Sequence, residues 1–289
     1  MRRPEAYRGN IAVLLVVICL LLFGVLLLPR ILHPPRRLPH AVAGQMTQFN
    51  AMNTALELFN IEYGDYPPSD ANDPVGQPYC GSMKLCEALM GQDLLGFHSE
   101  SVFRRDGLDA TGTVRLYPED IEALPSAERD INLKARKGPY VQAENANAHR
   151  LADIYGEGNT GPFPADVFVL CDTYEQKRPT GERTGMPILY YRTDPKGKVH
   201  DPDRPDDPSN IYDYRDNLAL VLLGVPGEPN AVHPLTDPKR FYLNTQSDKA
   251  TTESRPFHPD KFILISAGYD GLYGTGDDIC NFDWQYRER

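Results

Sequence analysis

The chain has 289 residues, and its 40 acidic side chains against 30 Lys and Arg give a formal net charge of −10 at neutral pH. A surface of that sign repels phosphate, so a nucleic-acid partner is excluded. The length suits one enlarged domain behind a short N-terminal region, and 26 Pro with 23 Gly argue for a loop-rich domain over a helical bundle.

Residues 1–9 are basic, with Arg2, Arg3 and Arg8, and residues 11–28 (IAVLLVVICLLLFGVLLL) are uninterrupted apolar sequence. That run is roughly 18 residues, or about 27 Å as a helix, which just spans a bilayer's hydrocarbon core. It predicts a membrane helix over residues 10–32, with residues 1–9 as a basic leader or cytoplasmic tip. A cleaved secretory signal would have a shorter apolar region and a small-residue cleavage site close behind it. The nearest A-x-A candidate, at residues 41–43, lies too far downstream. Arg30, Arg36 and Arg37 follow the run, so flanking charge does not orient it. The prolines of HPPRRLPH (33–40) remove amide donors and predict a break over residues 33–44.

From Gln45 onward, Phe49, Met52, Leu56, Phe59 and Tyr63 recur at spacings of three and four, which predicts an amphipathic helix over 45–63. Gly64 and DYPPSD (65–70) stop it. A second helix is expected over MKLCEALMGQDLLG (83–96). Polar stretches at 99–148, 173–183 and 201–216 read as insertions, the last as a solvated acidic loop in preference to a second cation site because its carboxylates have no fixed spacing. DVFVLCD (166–172) and MPILYYR (186–192) have strand composition and are expected to pair across a turn. LALVLL (218–223) suits a strand or a helix. With a further strand at 262–267, the expected class is α+β: the amphipathic helix packed on a small antiparallel sheet, with loop-rich insertions.

The strand at 262–267 runs into a loop opened by Gly268, Gly271, Gly274 and Gly276 and carrying Asp270, Asp277 and Asp278. Two readings fit. Asp and Gly are ordinary turn residues; alternatively, carboxylates and main-chain carbonyls converge on one ion, the oxygen-rich coordination that calcium prefers. The EF-hand spacing is absent.

Outside the apolar run lie Cys80, Cys86, Cys171 and Cys280, for which a Cys80–Cys86 or Cys171–Cys280 disulfide suits an oxidising compartment. The paired short spacings of structural zinc sites are missing. The sequence contains no HExxH, no G-x-S-x-G elbow and no phosphate-cradling GxxxxGK[ST], so no enzymatic activity is expected.

An N-terminal apolar segment, an amphipathic segment closing as ALELFNIEYGDYPPS (55–69) and a final SAGYDGLYGTGDDICNF (266–282) occur here in order. Together they resemble the major pseudopilin of type II secretion systems. The resemblance implies a single-pass inner-membrane protein with residues 45–289 as a periplasmic domain. It also implies a C-terminal calcium loop, with Ca2+ held by Asp270, Asp277 and Asp278 and carbonyl help near Ala267 and at Leu272 or Thr275. The implied partners are other pseudopilin subunits, secretion components of the inner membrane and the lipid bilayer. The implied processing point lies between Gly9 and Asn10. The sequence departs from the family there: Asn10 stands where the family has Phe, and Leu14 stands at the fifth mature position, where the family has Glu. Two functions are therefore expected in competition, a subunit of a secretion or pilus-like assembly and an anchored periplasmic binding module that kept the scaffold outside any filament.

Overall fold

The computed structural model describes residues 39–247 and 255–283. Helix α1 (Pro39–Tyr63) is 25 residues long and starts six residues before the Gln45 expected from periodicity. Residues 39–44 of the expected proline-rich break are thus helical, because a proline in the first turn lacks only an amide that the helix leaves unpaired anyway. Phe49, Met52, Ala55, Leu56 and Phe59 form its buried stripe, as the spacing predicts. Gln45 and Gln48 are also buried, and they dock the first turns of α1: Gln48 Nε2 donates to the Cys171 carbonyl at 2.8 Å, and Gln45 Oε1 accepts from the Thr173 amide at 2.9 Å.

The expected fold class needs one correction. Among the described residues no helix is long and apolar enough to cross a membrane. Helix α1 has the length, but Gln45, Gln48, Glu57 and Glu62 interrupt its apolar character. The membrane helix expected over 10–32, and the leader before it, lie outside the described residues.

Helix α2 (Gly81–Met90) is buried along all ten residues. It ends at Met90, short of the expected 96. Its polar side chains are satisfied internally: Lys84 Nζ donates to the carbonyls of Asp70 and Asn72 at 2.8 Å each, and Glu87 accepts from Tyr79 Oη at 2.7 Å and Gln92 Nε2 at 3.0 Å. Gly81 lets the helix start against the sheet, since a Cβ there would sit 2.3 Å from the Tyr190 carbonyl oxygen.

Among the described residues nine short strands follow, all paired antiparallel: β1 (Phe97–His98) with β2 (Arg136–Lys137), β3 (Ala148–Arg150) with β4 (Phe168–Leu170), β5 (Gln176–Lys177) with β6 (Arg183–Thr184), and a three-stranded sheet of β7 (Leu189–Arg192), β8 (Phe262–Ser266) and β9 (Ile279–Cys280). β8 lies in the middle, with Tyr190 opposite Leu264 and Ser266 opposite Ile279. All five of its residues are buried, which explains its continuous apolar sequence: both faces are covered. One face belongs to a core with Phe49, Met52, Leu56, Leu85 and Leu89 from α1 and α2. The expected pairing of 166–172 with 186–192 is realised only in part. β4 pairs with β3 and touches the segment leading into β7 through an isolated Cys171–Pro187 bridge, whereas β7 pairs along its length with β8.

The open alternative at 218–223 resolves as a one-turn helix (Leu218–Val221), and the stretch before β8 holds a helix not anticipated from periodicity, Pro238–Thr245, capped by Asp237 Oδ1 accepting from the Lys239 amide at 3.0 Å. The insertion 99–148 also carries a surface helix, Ser126–Lys134. The considered disulfides do not form, since Cys80, Cys86 and Cys171 are buried free thiols. Six residues along a helix rise about 9 Å, beyond the reach of one bridge between Cys80 at the start of α2 and Cys86 inside it.

The contact at Gly81 makes a prediction. Gly81→Ala is expected to destabilise the domain by about 1–3 kcal/mol through overpacking against rigid backbone, measured as a lower urea midpoint with an unchanged slope.

Candidate metal centre

The Asp-rich loop is the connection between β8 and β9, so both of its ends are held by the central sheet. Gly268 closes it. At φ +67° it takes a backbone conformation that suits glycine, and a Cβ on it would lie 2.3 Å from the Asp277 carbonyl oxygen. The two limbs therefore approach to backbone contact.

This approach places Asp277 across from the start of the loop. Its Oδ2 accepts from the amides of Tyr269 at 2.8 Å and Asp270 at 3.0 Å, and its Oδ1 accepts from Thr275 Oγ1 at 2.6 Å. Asp270 Oδ1 accepts from the Leu272 amide at 2.8 Å. Asp278 is buried, with Oδ2 accepting from the Gly274 amide at 2.7 Å and Oδ1 lying 3.3 Å from the Thr275 amide. Ala267 is buried at the end of β8, and the Leu272 carbonyl lies 3.3 Å from Thr275 Oγ1. All six residues expected around calcium thus lie on one closed loop, and Thr275 touches both Asp277 and Asp278. The processing residues Gly9 and Asn10 lie outside the described residues.

The electrostatics are one-sided. Burial pushes the Asp278 carboxyl well above the usual carboxylate range, and the neighbouring charges of Asp277 and Asp270 push the same way against its two amide hydrogen bonds. Asp270 is raised to about 6, by burial first and then by the adjacent Asp277. Among the described residues no Lys or Arg forms an ion pair with any of the three.

The donor chemistry suits calcium, since carboxylates, a hydroxyl and carbonyls are all hard oxygen ligands. The placement is less complete. The carboxylates face the loop's own amides, and among the described residues no three Asp, Glu, His or Cys side chains converge on one point as a metal cage would require. Coordination of calcium here would require some of those amide hydrogen bonds to be exchanged for the ion.

Sequence reasoning missed what supports the loop from below. Asp172, fully buried, receives Ser266 Oγ at 2.8 Å and the Met186 amide at 3.1 Å, and His233 Nδ1 lies 3.2 Å from the amide of Tyr273. Asp172 sits at the end of a predicted strand with the look of a turn residue. Its one available signal was its place directly after the apolar run FVLC. Comparison with protein-family models, curated proteins and solved structures gives no match for this chain.

Two predictions follow from this geometry. Gly268→Ala introduces both the close contact and an unfavourable φ, and is expected to cost upwards of about 1 kcal/mol in thermal unfolding. Burial raises Asp172 to about 6, so the folded chain holds that proton more tightly than the unfolded one. Its contribution favours folding below about pH 4 and is lost as the pH climbs through about 6. Asp172→Asn is expected to flatten that part of a stability–pH curve.

Proposed function

We propose that the chain is a structural subunit similar to the major pseudopilin of type II secretion systems, placed at the inner membrane with its folded domain in the periplasm, and that calcium stabilises its C-terminal loop. Other pseudopilin subunits or inner-membrane secretion components are its partners. The reading is supported by the three sequence blocks, by a long N-terminal helix packed on a small antiparallel sheet, and above all by one observation. Asp270, Asp277 and Asp278 occupy a single sheet-anchored loop with no cationic side chain among the described residues to neutralise them.

Calcium's part is structural. An ion that binds only the folded chain adds about 2.7 kcal/mol when present at a hundredfold over its Kd, and here that energy locks the β8–β9 connection. A rigid C-terminal loop gives neighbouring subunits a fixed surface to meet.

The full-length chain is expected to melt at a higher temperature in calcium chloride than in chelator, and Asp277→Ala is expected to abolish that difference. Because the variant also loses loop hydrogen bonds, the informative quantity is the calcium-dependent increment and not the melting temperature itself. An unchanged melting temperature on adding calcium to the unsubstituted chain would overturn the calcium assignment. Assembly is checked separately, by chemical crosslinking of the full-length chain in membranes. Ladders of subunits are expected, and monomers alone would defeat the subunit reading.

A further inference from the structure

A cavity of about 260 Å³ opens between the turn after α1, the end of β7 and the acidic insertion. Five carboxylates line it: Asp70, Asp194, Asp207, Asp213 and Asp216. None of its lining residues belongs to the β8–β9 loop, so the site is independent of the calcium reading.

Arg192 and Arg215 also line the cavity and Arg204 lies beside it, and all three are already committed. Arg192 pairs with Asp65, Arg215 makes a two-pronged contact with Asp213 at 2.7–2.8 Å, and Arg204 bridges Asp201 at 2.8 Å and Asp207 at 3.1 Å. Asp194 and Asp216 are left without an ion pair among the described residues, and Asp70 reaches only Lys84, at 3.9 Å.

Asp216 is the telling member. It is 8 % exposed, and its Oδ2 accepts a 2.5 Å hydrogen bond from Ser69 Oγ, a hydroxyl that in turn accepts from the Arg192 amide at 2.9 Å. Its Oδ1 has no hydrogen-bond partner among the described residues, and Asp216 lines the cavity. Ionising a carboxyl buried to this degree without an ion pair is costly. The fold nonetheless spends Ser69 on fixing its orientation.

The shape of the site selects the kind of cation. The carboxylates are spread around the cavity, and among the described residues no three converge to hold a metal ion. The volume is that of about eight or nine water molecules, enough for a short carbon chain with a charged head and below the size of a drug-like pocket. Tyr212 and Tyr242 supply apolar wall, while their hydroxyls are spent on backbone carbonyls at 2.7–3.2 Å.

We propose that this cavity binds an organic cation of the alkylammonium or alkylguanidinium class, its charged head paired with Asp216 and Asp194 and its approach guided by exposed Asp70. The same chemistry is offered by a free small amine and by a Lys or Arg side chain of a peptide. Burial, with the charges of Asp213 and Asp70, holds Asp216 up at about 8 against the Ser69 hydrogen bond and the charge of Lys84. At neutral pH an arriving cation therefore expels its proton, and affinity rises with pH as that group ionises.

The test is calorimetric titration of the full-length chain with agmatine, with putrescine and with an acetylated, amidated Gly-Arg-Gly peptide, at pH 6.5 and 8.5. Saturable binding is expected, tighter at the higher pH, with proton release seen as a heat that depends on the buffer's ionisation enthalpy. Asp216→Asn, which keeps the size and the Ser69 contact, is expected to weaken binding by about tenfold or more. Exposed Asp70→Asn should weaken it less, with the melting temperature unchanged, and Asp203→Asn, outside the cavity, should have no effect. Preference for agmatine and putrescine points to a free amine, and preference for the peptide to a protein side chain. No saturable binding by any of the three overturns the proposal, as does binding insensitive to both Asp216→Asn and Asp70→Asn. Displacement of agmatine by calcium chloride with equal sensitivity to Asp216→Asn would reassign the cavity to a metal ion and also overturn it.

Discussion

A helix without an exposed face has to find every polar partner inside the protein, and this requirement on α2 organises the rest of the domain. Ser82 donates to Asn217 Oδ1 through both its amide and its hydroxyl at 2.9 Å, while Asn217 Nδ2 donates to the Tyr190 carbonyl at 2.7 Å. One side chain directly after the acidic insertion thereby pins the start of α2 to β7. Lys84 reaches the turn after α1, and Glu87 gathers Tyr79, Gln92 and Ser101. Leaving any such buried group unpaired costs about 1–3 kcal/mol, so the surrounding loops are bound to the helix as firmly as the apolar core is.

Several loops reach the centre of the molecule through these links. Ser69 belongs to the turn after α1, yet it bonds both the β7 backbone and Asp216. Asp172 follows β4 and bonds Ser266 at the end of β8. The acidic cavity and the Asp-rich loop are thus attached to opposite ends of the same sheet, one where β7 ends at Arg192 and the other where β8 ends at Ser266.

The main apolar elements were legible in the chain because their signals are local. The stripe from Phe49 to Phe59 has helical period, and the run Phe262 to Ile265 is a continuous apolar strand. The short strand pairs were not legible, because strands of two or three residues carry too few side chains to show alternation. The helix Pro238–Thr245 was readable only from its Asp-Pro start, since its buried Phe241, Tyr242 and Thr245 sit among polar neighbours. The expected pairing of 166–172 with 186–192 holds where Leu170 to Asp172 meet Met186 to Ile188, while beyond it burial of both faces places β8 between β7 and β9. In the site, the grouping of Asp270, Asp277 and Asp278 was visible from spacing. Their capture by loop amides was not, because it depends on the backbone contact at Gly268. Asp216 was hidden for the opposite reason: it lies in a run so rich in aspartate that nothing in the sequence separates the one buried carboxylate from its solvated neighbours.

The thiols of Cys80, Cys86 and Cys171 lie in the interior, and burial lifts the Cys80 thiol to about 11. A thiol held protonated and out of reach is a poor nucleophile. These three side chains need neither an oxidant to mature nor protection from one. Cohesion around them rests on packing and hydrogen bonds, so passage between reducing and oxidising surroundings leaves that part of the molecule covalently unaltered.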